Sequence, residues 1–401
     1  MKVLLIHNFY RSSAPSGEDI VYKHERKLLE NNGLSIVAYE KFNDDLDDSS
    51  TIKRIKIALD GAWSKQTYQE LSEFIIRTKP DIAHIHSIFP QISPSAYAAC
   101  QDNGVPVIQT LHNFRPICPG ALLMRDGIPC EDCIGTNLLP SLVHRCYRDS
   151  LLATGAIAWQ ITRNRMTDTY NKLVNKYITL TKFSKSRYVR AGFLEKKITV
   201  KSNFLPFTSF TVDEHVQPYA VFVGRLTPEK GVHTLLKAWK YIKNLPLKVI
   251  GDGELRQELE ELVSSLQLPV EFLGFRSNTE VLDIVGNATL QIIPSECYEG
   301  FPMVVLEAYA LGVPIVASRI GSLEEIITER ETGLKFEPGN ADDLAEKVNN
   351  LISDEQLLVT MKKNAQEVFK KHYTADANFK MLYSLYQQVI KENERKNNEC
   401  C

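Results

Sequence analysis

Hydrophobic and polar positions follow two rhythms along this chain. Short β-branched runs, KVLLIH (2–7), LSIVAY (34–39), DIAHIH (81–86), VPVIQTLH (105–112) and KYITLT (176–181), read as buried parallel strands. Between several of them lie amphipathic stretches that predict helices, Val21–Asn31 and Tyr68–Thr78 among them. After ITVKSNFLP (198–206) comes a polar stretch, Thr208–Pro218, and then the pattern restarts. YAVFVG (219–224), LKVIG (247–251), VEFLG (270–274), LQIIP (290–294), PIVAS (314–318) and GLKFE (333–337) form a second set of strands. Two successive βα series predict an α/β chain of two Rossmann-like, doubly wound domains facing a cleft. The expected boundaries are 1–205 and 206–375, with the linker near 205–218. Residues 376–401 are expected as a C-terminal helix that crosses back, ending in a frayed polar tail, ENERKNNECC.

Composition narrows the classes. Lys and Arg number 47 against 49 Asp and Glu, so no polyelectrolyte signature for nucleic acid is present. The opening apolar run, Val3–Ile6, is expected as a first strand and not as a signal peptide. Apolar stretches such as Leu151–Ile161 are too short to span a bilayer, and the one at Met303–Val316 is interrupted by Glu307. Eight Cys in 401 residues do not suggest a secreted disulfide scaffold. A cytoplasmic protein, soluble or peripheral on the inner face of the membrane, is the expectation.

In open α/β sheets ligands sit beyond the carboxyl ends of the strands, which selects the loops after 7, 86, 112, 224, 251, 274 and 294. The strand YAVFVG runs into GRLTPEKG, where Gly224 permits close approach of backbone and Arg225 and Lys230 supply two cations beside a helix start. Such a loop suits a diphosphate, although two cations in a loop also serve as solvated charges. The loop lacks the GK[ST] of a Walker A motif, and no GxGxxG follows any strand. The second signal is PSECYEGFPMVVLEAYALGVP, with Glu299 before a helix and Glu307 inside it. Eight helical residues cover about 12 Å, roughly the reach from the sugar of a nucleotide sugar to its ribose. Gly300, Phe301, Pro302, Met303 and Val304 lie at the helix start, where unbonded N–H groups can meet the diphosphate or sugar hydroxyls. Glu307 lies among Val304, Val305, Leu306, Ala308 and Ala310, a poor place for an unpaired carboxylate, and a bidentate bond to ribose hydroxyls would account for it.

GRLTPEKG followed by EGFPMVVLEA resembles family 4 of the retaining glycosyltransferases, with its two glutamates separated by seven residues. The resemblance extends over most of the chain, including GDGELR (251–256) and FLGF (272–275). It implies the GT-B fold, a nucleotide-diphosphate sugar as donor, and neither a catalytic metal nor an organic cofactor. By that resemblance Arg225 and Lys230 bind the donor phosphates, Glu307 holds the ribose and Glu299 contacts the transferred sugar. The segment Gly274–Arg276, with Phe275, would lie by the base. The family often reads EGFG where this chain has EGFP, so Pro302 removes one backbone donor.

On the N-terminal side, Gly17 is expected to allow close approach to the donor phosphates, as the matching glycine loop does in the family. Glu18 and Asp19 read either as ligands of acceptor hydroxyls or as the acidic start of the following helix. His84, His86 and His112 all sit at strand ends without a metal-ligand spacing. The family places a contact to the transferred sugar near its anomeric carbon at the position of His112. His86 and Asn113 join the acceptor candidates, and His84 reads as a core residue. Cys118, Cys130, Cys133 and Cys146 include one CxxC, half of a structural zinc pattern, and the four read as a structural zinc site; unbonded thiols or a disulfide or redox pair are the other readings. From Arg145 to Lys201 thirteen Lys and Arg face three acids beside the apolar LLATGAIAWQI. That run reads as a surface for anionic lipid or as a solvated basic face.

The expected reaction is therefore hexosyl transfer to a saccharide or lipid-linked acceptor, in surface polysaccharide or glycolipid synthesis. The leaving diphosphate is stabilised by Arg225, Lys230 and the helix start, and no covalent nucleophile is required. A sugar-nucleotide epimerase of the same architecture and a non-enzymatic nucleotide-sugar sensor or scaffold are the competing classes. An epimerase turns over without acceptor and a sensor binds donor without turnover.

Overall fold

The computed structural model describes the chain except for residues 14–15, 47–48, 136, 207–216 and 400–401. Two compact units emerge. One comprises residues 1–123, 131–203 and 375–401, the other 124–130 and 204–374. Most of the linker expected near 205–218 lies outside the described residues.

The first unit carries β1 (Lys2–Phe9), β2 (Ser35–Phe42), β3 (Ile82–Ile85) and β4 (Val107–Leu111). In chain order a short antiparallel hairpin follows, β5 (Met124–Arg125) and β6 (Ile128–Pro129), which belongs to the second unit, and then β7 (Lys176–Thr179) and β8 (Ile198–Val200) of the first. The sheet order is β2-β1-β3-β4-β7-β8, every neighbour parallel. Parallel strands covered by helices on both faces are mostly apolar, and in β1 Val3, Leu4, Leu5 and Ile6 are fully buried, with the polar His7 and Asn8 buried at its carboxyl end. The expected first helix begins earlier than its apolar stripe, at Gly17, because Ser16 and Asp19 close a capping box.

Residues 375–401 do not stand apart as a third segment. The helix Ala375–Glu399 packs Leu382, Leu385, Tyr386 and Val389, spaced by three to four residues, against Val3, Leu5, Tyr22, Leu29, Ile82, Ile108 and Ile178 of the first unit. Each such burial is worth about 1.5–3 kcal/mol, enough to hold a helix whose other face is polar. The tail expected to fray is helical through Glu399, and Asn393 Nδ2 donates to the Gly104 carbonyl at 3.1 Å.

The second unit carries β9 (Ala220–Val223), β10 (Leu247–Ile250), β11 (Val270–Gly274), β12 (Leu290–Ile293), β13 (Ile315–Ser318) and β14 (Gly333–Phe336). Their order is β11-β10-β9-β12-β13-β14, again all parallel. Counted within the unit this is 3-2-1-4-5-6, the dinucleotide-binding order, whereas the first unit follows 2-1-3-4-5-6. Its core centres on Phe222, Trp239, Leu247, Val249, Ile292 and Phe336. The order reverses between β9 and β12 here, and between β1 and β3 in the first unit. Those two reversals are where a ligand crevice is expected.

Candidate active site

At the reversal in the second unit, the loops after β9 and β12 are locked together backbone to backbone. Gly231 has φ +67°, and a Cβ there would come within 1.9 Å of the Pro294 carbonyl oxygen. Gly251, at φ +130°, lies as close to the carbonyl of Gly224. Side chains at either position would push the strand-end loops apart. This packing brings Lys230 and Glu299, 69 residues apart in sequence, to 2.6 Å. Ser295 Oγ donates to the same Glu299 oxygen at 2.8 Å. Burial works against both charges, yet each holds the other ionised: Lys230 lies above its usual range and Glu299 below. Arg225 is two-thirds exposed and 3.4 Å from Glu229. Thr234 Oγ1 donates to Glu296 at 2.6 Å, and the Glu296 N–H donates to the Glu229 carbonyl at 2.9 Å. Ser295, Thr234 and Glu296 escaped the sequence reading. For Ser295 and Glu296 the signal was the polar residues of PSE at the end of an apolar strand.

The helix beyond Glu299 runs from Met303 to Leu311, with Pro302 at the N-cap position and no side-chain cap among the described residues. Only residues 303–307 of the expected eight-residue helical span are therefore helical, about 6 Å of rise. Pro302 holds an extended ψ of 125° and sets the start one residue later. The first-turn N–H groups, Met303 and Val304 among them, have no acceptor within the helix. Phe301 turns inward, 7% exposed, with its ring 5.7 Å from that of Tyr373, so only its backbone faces the loop chemistry. Glu307 is half-buried with no hydrogen bond or ion pair among the described residues, and burial pushes its carboxyl up to about 7. Gly274 ends β11 and Phe275 follows it, 77% exposed.

The first unit treats its polar side chains differently. His86, at the end of β3, contacts His112 through Nδ1 at 3.0 Å and Glu25 through Nε2 at 3.0 Å. Both its nitrogens are thus engaged inside the unit, and it does not present one to an acceptor as the sequence suggested. Glu25 also pairs with Lys201 at 3.2 Å. Asp19 is likewise spent: Oδ1 meets His7 Nε2 at 2.8 Å and Oδ2 accepts the Ser16 N–H at 3.2 Å. Its helix-start reading describes its contacts, and the acceptor reading does not. Gly17 is the first helical residue, with open space where a Cβ would lie. Glu18 and Asn113 come together, Asn113 Nδ2 donating to the carboxylate, and burial pushes Glu18 up to about 7. They line a cavity of about 70 Å³ with Tyr10, His112 and Arg115. Arg115 stacks 4.8 Å from the rings of both Phe89 and Tyr147. His84 is a core residue, fully buried, with ring nitrogens 2.7 Å from Tyr386 Oη and 2.8 Å from Thr110 Oγ1.

Residues 211–368 match the family described as Glycosyl transferases group 1. The chain carries a glycosyl transferases group 1 domain. An uncharacterised glycosyltransferase of Methanocaldococcus jannaschii is 38% identical over 154 residues, 38% of this chain and 43% of that protein. The sulfoquinovosyl transferase of Arabidopsis thaliana is 26% identical over 340 residues, 84% of this chain and 61% of that protein. The matches therefore span less than two thirds of either relative's length. Among solved structures, Anabaena HepE, crystallised with UDP and with UDP and glucose, superposes with a TM-score of 0.65 at 18% identity, covering 96% of this chain and all of that one. At that identity the likeness shows the fold, the GT-B type expected from the sequence.

The four cysteines lie outside the group 1 domain. Cys118 and Cys133 are buried and Cys130 and Cys146 half-buried. A tetrahedral zinc with Zn–S of about 2.3 Å holds its sulfur atoms about 3.8 Å apart. Among the described residues, Glu25, His84 and His86 form a second group, with ligand atoms within 4.8 Å of one another. Lys201 already supplies the positive charge beside that second group. Of the basic run 145–201, several members serve the fold. Arg187 and Arg190 pair with Glu131, Arg163 lies 4.7 Å from the Trp63 ring, and Lys197 Nζ donates to the Val174 carbonyl at 2.6 Å. No helix among the described residues is long and apolar enough to cross a membrane.

Proposed function

We propose that this glycosyltransferase transfers a hexose from a nucleotide-diphosphate sugar, with retention of anomeric configuration, to a saccharide or lipid-linked acceptor in surface polysaccharide or glycolipid synthesis. The observation that carries the reading is Glu307. A half-buried carboxylate without a partner, one turn into an uncapped helix, is costly in the empty protein and suited to a ribose diol. Beside it the uncapped N–H groups, Lys230 and Arg225 offer positive potential to a diphosphate. Phe275, exposed at the end of β11, offers a face to the base. As the bond from the anomeric carbon to the diphosphate oxygen breaks, charge gathers on that oxygen, and Lys230 and Arg225 stabilise it. The acceptor oxygen bonds to the same carbon on the same face and yields its proton to the departing phosphate. No protein nucleophile is consumed, and neither a metal nor an organic cofactor enters.

Glu299, held ionised by Lys230, faces the hydroxyls of the transferred sugar in this reading, and His112 contacts the sugar from the first unit. Glu18 and Asn113 bind the acceptor. A membrane surface suits a lipid-linked acceptor. Leu139, Val143, Leu151 and Leu152 are 62%, 75%, 55% and 86% exposed, with Arg145 and Arg148 between them in sequence. Such a patch would rest on anionic lipid at the cytoplasmic face. Failure to float with anionic vesicles at low salt would remove that part alone.

Thermal unfolding with UDP-, GDP- and ADP-sugars tests the core of the proposal. Ligand at about a hundred times its Kd adds about 2.7 kcal/mol. One nucleotide series should stabilise the wild type and fail to stabilise Lys230→Ala or Glu307→Ala. No shift with any nucleotide sugar would leave the fold standing and refute the activity. Product analysis without acceptor excludes the epimerase if the sugar is recovered unchanged.

A further inference from the structure

Glu25 lies at the centre of a buried chain of polar groups in the first unit. It is 1% exposed, and its neighbours Lys201, His84 and His86 are 4%, 0% and 3% exposed. Lys201 Nζ is 3.2 Å from Oε2 and also donates to Asn378 Oδ1 at 3.1 Å, on the C-terminal helix. The other oxygen, Oε1, is bonded by His86 Nε2 at 3.0 Å, and His84 Nδ1, which is bonded to Tyr386, lies 3.0 Å from it. An ionised carboxylate only accepts hydrogen bonds, so His86 must carry its proton on Nε2. Burial tends to push Glu25 up, but Lys201, His84 and His86 hold it well below the usual carboxylate range, while burial lowers His86 to about 4. Glu25 is therefore ionised and His86 neutral. With Nε2–H given to Glu25, His86 Nδ1 has only a lone pair to offer the next ring. His112 Nε2, 3.0 Å away, must then carry the hydrogen. One nitrogen remains. His112 Nδ1 has no hydrogen-bond partner among the described residues and is not sealed from solvent, and the ring lines the cavity shared with Glu18, Asn113 and Arg115.

We propose that Glu25, acting through His86, is a positioning residue that fixes His112 in the Nε2–H tautomer, leaving Nδ1 as an acceptor for a hydroxyl of the transferred sugar. The inference rests on the reading of His112 as a sugar contact. It assigns His86 a part other than acceptor binding, and it gives the C-terminal helix a functional task, since Asn378 steadies Lys201 and Tyr386 steadies His84. His7 belongs to the same pocket of rings, 6.2 Å from His86, but is tied to Asp19 and stands outside the chain.

The wild-type protein decides the first half without any variant. Correlation of ring 15N and carbon-bound 1H signals, with His112→Ala used for assignment, should show the pyridine-type nitrogen of His112 at Nδ1. A proton on Nδ1, or an imidazolium at neutral pH, overturns the proposal. In E25Q the introduced amide can turn an N–H toward His86 and reverse the chain, moving the His112 proton to Nδ1. Transfer should then lose about 10²-fold in kcat, with KM for the donor within about twofold, since a wrong tautomer spoils the reacting complex and not donor capture. E25D should keep the wild-type tautomer and recover most of kcat. If E25Q does not fold because Lys201 loses its counter-charge, the double variant E25Q/K201M removes both charges and serves in its place. A reversed tautomer with undiminished kcat overturns the relay. Unchanged transfer in His112→Ala refutes the sugar contact itself and the inference with it, so the two failures are distinguishable.

Discussion

The two units solve the same electrostatic problem in opposite ways. In the first, buried ionisable groups are closed on one another: Lys201, Glu25, His86 and His112 form one continuous chain, and Asp19 spends both oxygens on His7 and the Ser16 amide. In the second, polar groups at the strand ends are left open. The helix Met303–Leu311 starts uncapped, Glu307 has no partner among the described residues, and Phe275 stands 77% exposed. Closed pairs occur there too, Lys230 with Glu299 and Thr234 with Glu296, each at 2.6 Å, but they leave these groups open. Closed networks stabilise the empty protein and orient a side chain, whereas open groups cost stability until a ligand completes them. The difference supports the proposed placing of the donor site in the second unit.

Removing one group from each unit should therefore shift stability in opposite directions. Glu25→Ala leaves Lys201 charged and unpaired in the interior, a loss of about 3–5 kcal/mol read from urea unfolding of the ligand-free protein. A loss below about 1 kcal/mol would mean the network is not closed as drawn. Glu307→Gln should act the other way. Burial raises the Glu307 pKa from 4.5 to about 7, so the folded chain holds an extra proton between those values. Stability then falls as pH rises through that window and stays lower above it. The variant removes this dependence and should be more stable than the wild type at pH 8 by about 1–3 kcal/mol, with little difference near pH 4. Glu18, raised similarly, contributes the same slope to both proteins, so the difference between them isolates Glu307. Equal midpoints at pH 8 would mean Glu307 is solvated. The smallest effect is expected at Phe275. Its exposure makes Phe275→Ala neutral for folding, while loss of base stacking should weaken nucleotide binding by about 1–2 kcal/mol in titration calorimetry. Unchanged affinity would move the base elsewhere.

Much of this was legible from local pattern. Most parallel strands of both units follow the apolar runs in the sequence, because a strand buried on both faces is mostly apolar. Arg225, Lys230, Glu299 and Glu307 stood out because charges at strand ends, or amid apolar residues, contradict their surroundings. The tail ENERKNNECC was expected to fray because it has no apolar stripe, yet the helix docked by Leu382, Leu385, Tyr386 and Val389 runs on through Glu399.

The sequence by itself determined the two βα series, the strand ends where ligands gather, and the kinds of chemistry placed there. These depend on periodicity and local propensity, which neighbouring residues carry between them. Tertiary structure alone decided which strand ends meet. It set Lys230 against Glu299 across 69 residues, His86 against Glu25 across 61, and brought Tyr386 back to His84 across 302. Strand order in a parallel sheet is chosen by the crossovers and the packing of helices on its faces, information spread over the whole unit. That is why individual charges could be read from the chain, while their partners emerged only when the sheets were assembled.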